Sequence, residues 1–307
     1  MAGSMQDIDR RIKSVTSTRQ ITHAMQLVAT AKLRRTRERA EARKAYTDYM
    51  ISCMHMIAGS LKGESQNAFL SNNGCGKDLY IVVTADKGLA GGFNSNLLKF
   101  ASLNMDQNSD SQKAVIAVGK KAVEYFTRNK TEIMGSYVGE SDKPEYPLAR
   151  EIGRVISTLF IDKKVDNIYI VYNRFVSVMS QQPVIIKLAP LTDVELSDIR
   201  DNIETGLVED KTDKNDKFKD FATAMSFDPS AEEIADWLIP SYLVNAVYGA
   251  LLDSGAGELA ARRFAMENAT DNADEILSDL TLEYNRVRQG AITQEITEII
   301  SGADALS

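Results

Sequence analysis

The 307-residue sequence predicts an α/β protein in which the N- and C-terminal segments form a long antiparallel coiled coil and the middle forms a Rossmann-like α/β domain with a mostly parallel sheet. Three observations predict it. From Asp7 to about Gly59 no proline or glycine interrupts a helix. A second proline-free tract runs from Pro240 to Leu306. Between them, short β-branched runs alternate with helical segments, the pattern of βαβ units.

The N-terminal tract is dominated by Ala, Arg, Lys, Gln, Glu and Met, all good helix formers. At 1.5 Å per residue it would reach about 75 Å, well beyond an ordinary globular helix. A helix of that length needs a partner along it. Ile8, Ile12 and Val15 step by four and three, and Ile21, Met25 and Val28 repeat the step, which predicts a seam. Ala24, Leu27, Ala29 and Ala31 add apolar surface outside that seam, so the stretch from Ile21 to Leu33 is expected to be wrapped on more than one side.

At the other end, Leu277, Leu280, Tyr284, Val287 and Ala291 form a heptad seam, and Ile292, Ile296 and Ile299 continue it one residue out of phase. Such drift is expected where the partner surface changes. Gly249, Gly255 and Gly257 precede this clean tract. Two long helices with narrow seams at opposite ends of one chain pair most economically with each other, leaving the middle at one end of the pair. The expected organisation is residues 1–59 as the first helix, 60–225 as the globular domain and 226–307 as the second helix.

In the middle, Leu79 to Thr84, Lys113 to Val118, Asn167 to Val171 and Val184 to Leu188 are expected strands, the last with room to run antiparallel at an edge. Asn94 to Met105, Lys120 to Asn129 and Pro147 to Ile161 are expected helices. Thr192 to Asp220 carries ten acidic and five basic residues and few apolar ones, and reads as an acidic connector.

Composition narrows the function classes. A net charge of −7 argues against wholesale binding to nucleic acid or an anionic membrane. Cys53 and Cys75 are too few for a disulfide framework and lie in no metal-ligand spacing. No signal peptide opens the sequence and no apolar run approaches the roughly 18 residues of a membrane span. A soluble, cytoplasmic chain is expected, with no cofactor and no metal.

The residues that carry chemistry elsewhere are sparse here. Thr84 to Asn94 (TADKGLAGGFN) joins a strand to a helix, a place where α/β proteins bind phosphate on helix N–H groups. Gly88, Gly91 and Gly92 match neither GxxxxGK[ST] nor GxGxxG, and a tight turn with Asp86 capping or pairing locally is the plainer use. His23 and His55, the only histidines, would lie about 48 Å apart on one helix, too far to share a site. No His or Cys cluster offers a metal site.

Charge is the more informative feature. Arg10 to Lys44 carries eleven Lys and Arg against Glu38 and Glu41, a local net charge of +9. Such a helix suits nucleic acid, an acidic membrane or acidic protein loops. No aromatic interleaves before Tyr46, and the seam runs through the same residues, which favours a ring of acidic loops. Near the other end, Arg288 and Gln289 flank the seam, where Arg suits bidentate grip of a carboxylate and Gln both donates and accepts. A solvated coiled-coil flank is the alternative.

These residues together resemble the γ-subunit family of the F-type ATP synthases, the central rotor stalk, over nearly the whole length. Arg11-Ile12-Lys13-Ser14-Val15 through Ile21-Thr22-His23-Ala24-Met25-Gln26-Leu27-Val28-Ala29 is similar to the family's N-terminal motif. Asp86 to Asn94 resembles DRGLCGGFN, with Ala90 in place of the common Cys. Glu258 to Asn272 and Ile292 to Ala303 resemble its two C-terminal motifs, the latter the ITxE…GA signature. The resemblance implies a shaft inside a hexamer of α and β subunits, one copy per complex, with ATP chemistry on the partners and none on this chain. It implies that Arg288 and Gln289, with Thr293 nearby, meet a β-subunit catch loop, and that Met25 and Arg262 pass lower β loops. It implies an α/β domain that binds ε and the c-ring, and a peripheral position on the cytoplasmic face of a bacterial plasma membrane. Gly257 stands where Ser is common, the 192–220 connector is longer than a minimal bacterial one, and no Cys pair in it supports thiol control. A basic coiled-coil nucleic-acid binder and a nucleotide-binding α/β enzyme remain the alternatives.

Overall fold

A computed structural model of the chain describes residues 2–60, 68–71, 73–107, 111–139, 144–191, 227–228 and 230–304. The acidic connector expected at 192–220 lies outside them. In chain order the elements are α1 (Ala2–Ser60), a 3-10 turn (Ala68–Leu70), β1 (Lys77–Val83), α2 (Phe93–Gln107), β2 (Gln112–Val118), α3 (Lys120–Arg128), β3 (Glu132–Tyr137), α4 (Tyr146–Ile161), β4 (Asn167–Phe175), β5 (Gln181–Ala189) and α5 (Ala231–Asp304). They form two compact units, Met1–Thr30 with Arg262–Ser307, and Ala31–Ala261.

The second unit is built on a five-stranded sheet ordered β3-β2-β1-β4-β5. β1 pairs in parallel with β2 and β4, β2 in parallel with β3, and β5 lies antiparallel to β4 at the edge. Strand periodicity sorts the side chains. Tyr80, Val82, Val115, Ala117 and Val171 face α2 and α3, in a core with Leu97, Ala101 and Phe126. Leu79, Ile81, Ile116, Ile168 and Ile170 face the other way, in a core with Ile152 and Ile156 of α4 and with Met50, Met54, Leu238, Tyr242 and Leu243 from the long helices. Gly153 lets α4 approach α5, since a Cβ there would lie 2.4 Å from Val244 Cγ2.

The edge strand β3 was not among the expected strands. Its sequence, Glu-Ile-Met-Gly-Ser-Tyr, has one β-branched residue and an interior glycine, and no position in it is fully buried. Pairing with β2 supplies what its propensity lacks. α5 begins before Pro240, inside the span expected for the second helix, although an interior proline removes a helix hydrogen bond at a cost of about 3 kcal/mol. The burial of Leu238, Ile239, Tyr242 and Leu243 around it offsets that. Ser230 Oγ accepts from the Glu233 N–H at 3.2 Å and starts the helix, with Glu232 and Glu233 in its first turn.

Along α1 the least exposed positions keep a strict four-three step. They are Ile8, Ile12, Val15, Arg19, Thr22, Gln26 and Ala29 in the first unit, and Leu33, Thr36, Ala40, Arg43, Thr47, Met50, Met54 and Ile57 in the second. The seam therefore passes through Thr22 and Ala29, not through Ile21, Met25 and Val28, which are 56%, 38% and 56% exposed. Small and polar residues hold the seam where the two helices come close, and the larger apolar ones are displaced to the flank. On α5 the same step runs through Met266, Thr270, Ala273, Leu277, Leu280, Tyr284, Val287 and Ala291 in the first unit, as the spacing from Leu277 predicted. In the second unit it runs through Leu238, Tyr242, Asn245, Gly249, Leu252, Ala256 and Leu259.

Both pairings are antiparallel. In the first unit the Thr22 and Thr270 hydroxyls share a buried hydrogen bond of 2.8 Å, and Arg19 pairs with Asp274. In the second, Asn245 Nδ2 donates to Thr47 Oγ1 at 3.3 Å.

Candidate partner-binding site

The loop that most invited a ligand is closed by the chain itself. The first three N–H groups of α3 are already used: Asp86 accepts from Lys120 at 3.0 Å, the Ala85 carbonyl from Lys121 at 3.2 Å, and Thr84 Oγ1 from Ala122 at 2.9 Å. Gly119, at φ 90°, brings the helix start so near that a Cβ would lie 2.2 Å from the Thr84 carbonyl oxygen. Asn94 Oδ1 accepts from Ala85 N–H at 2.9 Å and fixes the start of α2. Asp86 thus caps and pairs locally, as its sequence position predicted.

The crevice at the C-terminal ends of β1 and β4, where the strand order turns and open α/β sheets bind ligands, is filled by α5. Ser254 Oγ donates to the Val83 carbonyl oxygen at 3.3 Å. A Cβ on Gly257 would lie 3.1 Å from Phe93 and 3.3 Å from Gln181. Every residue from Leu251 to Ala260 is buried. This geometry removes the room a nucleotide would need and does not support the nucleotide-enzyme alternative.

Among the described residues no group of His, Cys, Asp and Glu is arranged to hold a metal. Cys53 and Cys75 are free thiols. Burial, with Asp166 adding to it, pushes the Cys75 thiol up, away from the reactive thiolate. His23 is exposed.

The expected grip residues all lie in the first unit, and the structure places them at two levels of its helix pair. Arg288, Gln289 and Thr293 are exposed on α5, with Thr293 Oγ1 donating to the Gln289 carbonyl oxygen at 2.9 Å. With Thr22 opposite Thr270, α1 provides no facing residue beyond about Ala291, and Ile292 to Ser301 are all exposed. Met25 lies within one or two turns of the level of Arg262, which is half-buried. Arg262 and Arg288 are 26 positions apart on one helix, about 39 Å along its axis. The two groups therefore cannot bind one small ligand, but they fit a surface that follows the helix pair.

Two apolar groups belong to the same surface. Ile21, Leu27 and Val28 are 56%, 57% and 56% exposed beside Met25. Ile292, Ile296, Ile299 and Ile300 are 47%, 52%, 70% and 56% exposed beside Thr293. Apolar contact of this size, interrupted by Arg and Gln, is how protein interfaces are composed. The excess of apolar residues between Ile21 and Leu33 signalled the first group. The second was legible only as a seam drifting out of phase.

The basic tract divides by burial. Arg34, Arg35 and Arg37 are exposed on α1, with Arg34 paired to Glu38 at 3.1 Å, whereas Arg43 turns inward.

Comparison with known proteins agrees with a partner-bound shaft. The ATP synthase family model matches residues 4–306. The chain is 43% identical over 312 residues to the ATP synthase gamma chain, sodium ion specific, of Acetobacterium woodii, and 40% identical over 306 residues to the ATP synthase gamma chain of Alkaliphilus metalliredigens, each alignment covering all of both chains. Among solved structures, a chain of the Euglena gracilis mitochondrial ATP synthase assembly of OSCP, F1 and c-ring matches with a TM-score of 0.69 at 20% identity, over 100% of this chain and 95% of that one. A chain of the Tetrahymena thermophila mitochondrial ATP synthase central stalk and c-ring matches with a TM-score of 0.55 at 23% identity, over 81% of this chain and 99% of that one. Full-length identity of this order, joined to two long terminal helices with a mostly parallel sheet between them in the sequence, leaves one conclusion: the chain belongs to the gamma-chain family of the ATP synthases.

Proposed function

We propose that this chain turns as the central rotor shaft of an F-type ATP synthase, coupling transmembrane ion flow to ATP synthesis or hydrolysis on a surrounding hexamer of α and β subunits, and that Arg288, Gln289, Thr293, Met25 and Arg262 are its grip on the β subunits. One observation carries the reading: the two ends of the chain pair antiparallel in a strict heptad seam, and the polar and apolar groups outside that seam stay exposed. The chain is a non-catalytic subunit; the chemistry belongs to its partners.

Two unlike helices present a different side chain at each angle, so the shaft's surface is asymmetric. A partner loop that pairs with Arg288 at one angle meets Thr293 or an isoleucine at another. Each angle then stabilises a different conformation of the neighbouring catalytic subunit, by the difference in contact free energy between conformations. The α/β domain is left to meet ε and the c-ring. No described helix is long and apolar enough to cross a membrane. In the rotor reading the chain meets the membrane peripherally, through the complex, at the cytoplasmic face.

The test is the double variant Arg288→Ala with Gln289→Ala in the reconstituted complex. Both side chains are exposed, so the melting temperature of the free chain is expected to stay unchanged. ATP turnover coupled to ion movement is expected to fall about ten-fold, as for loss of a charged interface contact of roughly 1–2 kcal/mol. Unchanged turnover and torque would remove these residues from the grip.

A further inference from the structure

Arg43 stands in the second unit at a seam position of α1, where a coiled coil ordinarily carries an apolar residue. Its Nη1 donates to the Asn245 carbonyl oxygen of α5 at 3.0 Å. Gly249 makes the room for it: a Cβ there would lie 2.5 Å from Arg43 Nη1 and 2.9 Å from Nη2. Burial holds the guanidinium below its ordinary value, while Asp253, Tyr248, Tyr172 and Asp48 act to raise it. Asp253, on α5, is 0% exposed, and Tyr172, on the interior strand β4, is 3% exposed. Burial first and Asp253 second push the Tyr172 phenol up to about 12, against the opposing pull of Arg174 and Arg43. One guanidinium thus ties α1 to α5, and α5 in turn meets the sheet where Ser254 Oγ donates to the Val83 carbonyl oxygen.

Leucine at this position would be the simpler way to hold two helices together. Burying an ion group is costly, and apolar replacements of similar volume are often as stable. Apolar packing is non-directional, however, and lets surfaces repack as they slide. A half-buried guanidinium whose donor is fixed to a carbonyl resists a change of angle, because rotation breaks a charge-assisted hydrogen bond.

We propose that Arg43 is the positioning residue that keys α1 to α5, so that torque applied to the sheet domain, which holds α5 through the Ser254 to Val83 hydrogen bond, reaches both helices without slip. The key rests on the rotor reading. Arg43 touches no catalytic subunit in this account and acts through Asn245 of α5.

The experiment uses the assembled complex in sealed vesicles and the detached hexamer carrying the same chain. Arg43→Met keeps the stem and removes the fork. Arg43→Met with Asp253→Leu also removes the buried carboxylate whose charge acts on Arg43, and so separates keying from folding. In both variants ion-driven ATP synthesis is expected to fall about five-fold or more, the lower end of coupling between sites, while hydrolysis by the detached hexamer stays within about two-fold of the original. Arg43→Lys, a point charge without the fork, is expected to restore less than half of the synthesis. The inference is overturned if the double variant synthesises ATP at the original rate, or if hydrolysis in the detached hexamer falls as far as synthesis does. If the single variant fails to assemble, the double variant decides by the same two readings, and its own failure to assemble while the chain melts normally also overturns the proposal. Failure of the unaltered chain to support synthesis would sink the rotor reading instead, so the two are told apart.

Discussion

Gly153 and Tyr172 show how far single positions constrain the second unit. Alanine at Gly153 would set a Cβ 2.4 Å from Val244 Cγ2 and 3.2 Å from its Cα. Over-packing of this kind costs about 1–3 kcal/mol, so Gly153→Ala is expected to lower the melting temperature by several degrees. Val244→Ala in the same chain should recover much of the loss; no recovery would place the strain elsewhere. Tyr172 titrates near 12, above its ordinary value of 10. Its contribution to stability is therefore complete below pH 10 and is lost as the pH rises through 12, by about 2–3 kcal/mol at most. Denaturant unfolding across that window should decline more steeply for the original chain than for Tyr172→Phe, and equal slopes would contradict the buried phenol.

For the helices, the informative feature is a polar seam. Thr22 and Thr270 share a 2.8 Å bond in which one hydroxyl donates and the other accepts, and the accepting one keeps its own proton for a backbone carbonyl, that of Arg19 at 3.0 Å for Thr22 or of Met266 at 2.8 Å for Thr270. Thr22→Val or Thr270→Val alone leaves one hydroxyl facing a methyl group, at a cost of about 1 kcal/mol. The double change removes both, so its cost should be smaller than the two single costs together, by about 0.5 kcal/mol or more. Strictly additive melting shifts would show that the pair does not set the helix register. Buried polar seam positions fix register at some expense in stability. A shaft gains from that, since a slip by one heptad would move every outward residue.

For the whole chain, net charge and local charge make opposite demands. The overall −7 opposes polyanions, while the Arg10 to Lys44 tract, at +9, attracts them. Arg43 is turned inward and Arg34 is paired with Glu38, which leaves less free charge on the tract than its composition advertises. Fluorescence anisotropy with duplex DNA near 0.15 M salt should detect only weak association. Calorimetric titration of the free chain with ATP should be flat, because Asp86, Ala85 and Thr84 already occupy the N–H groups a phosphate would take. Tight, steeply salt-dependent DNA binding, or a saturable heat with ATP, would reopen the alternatives.

Local rules made the elements legible. Unbroken helix formers marked α1, β-branched runs marked four of five strands, and the step from Leu277 to Ala291 gave the C-terminal seam. Of the proposed grip positions, Arg288 and Gln289 stand out by their place on the flank of the seam, and Thr293, Met25 and Arg262 follow from motif resemblance, which reads residues one at a time and needs no geometry. Three features were decided only by tertiary structure. β3 exists because β2 offers a ladder, not because its own residues favour a strand. The N-terminal seam runs through Thr22 and Ala29 because close helices select small side chains, and a search for apolar periodicity passes over those in favour of Ile21 and Met25. Arg43 looks like one more surface cation until Gly249 opens a space across from it. Periodicity and propensity act between near neighbours and are written in order along the chain, whereas burial depends on what arrives from two hundred residues away, so the sequence determined the elements and the fold alone decided which faces they hide.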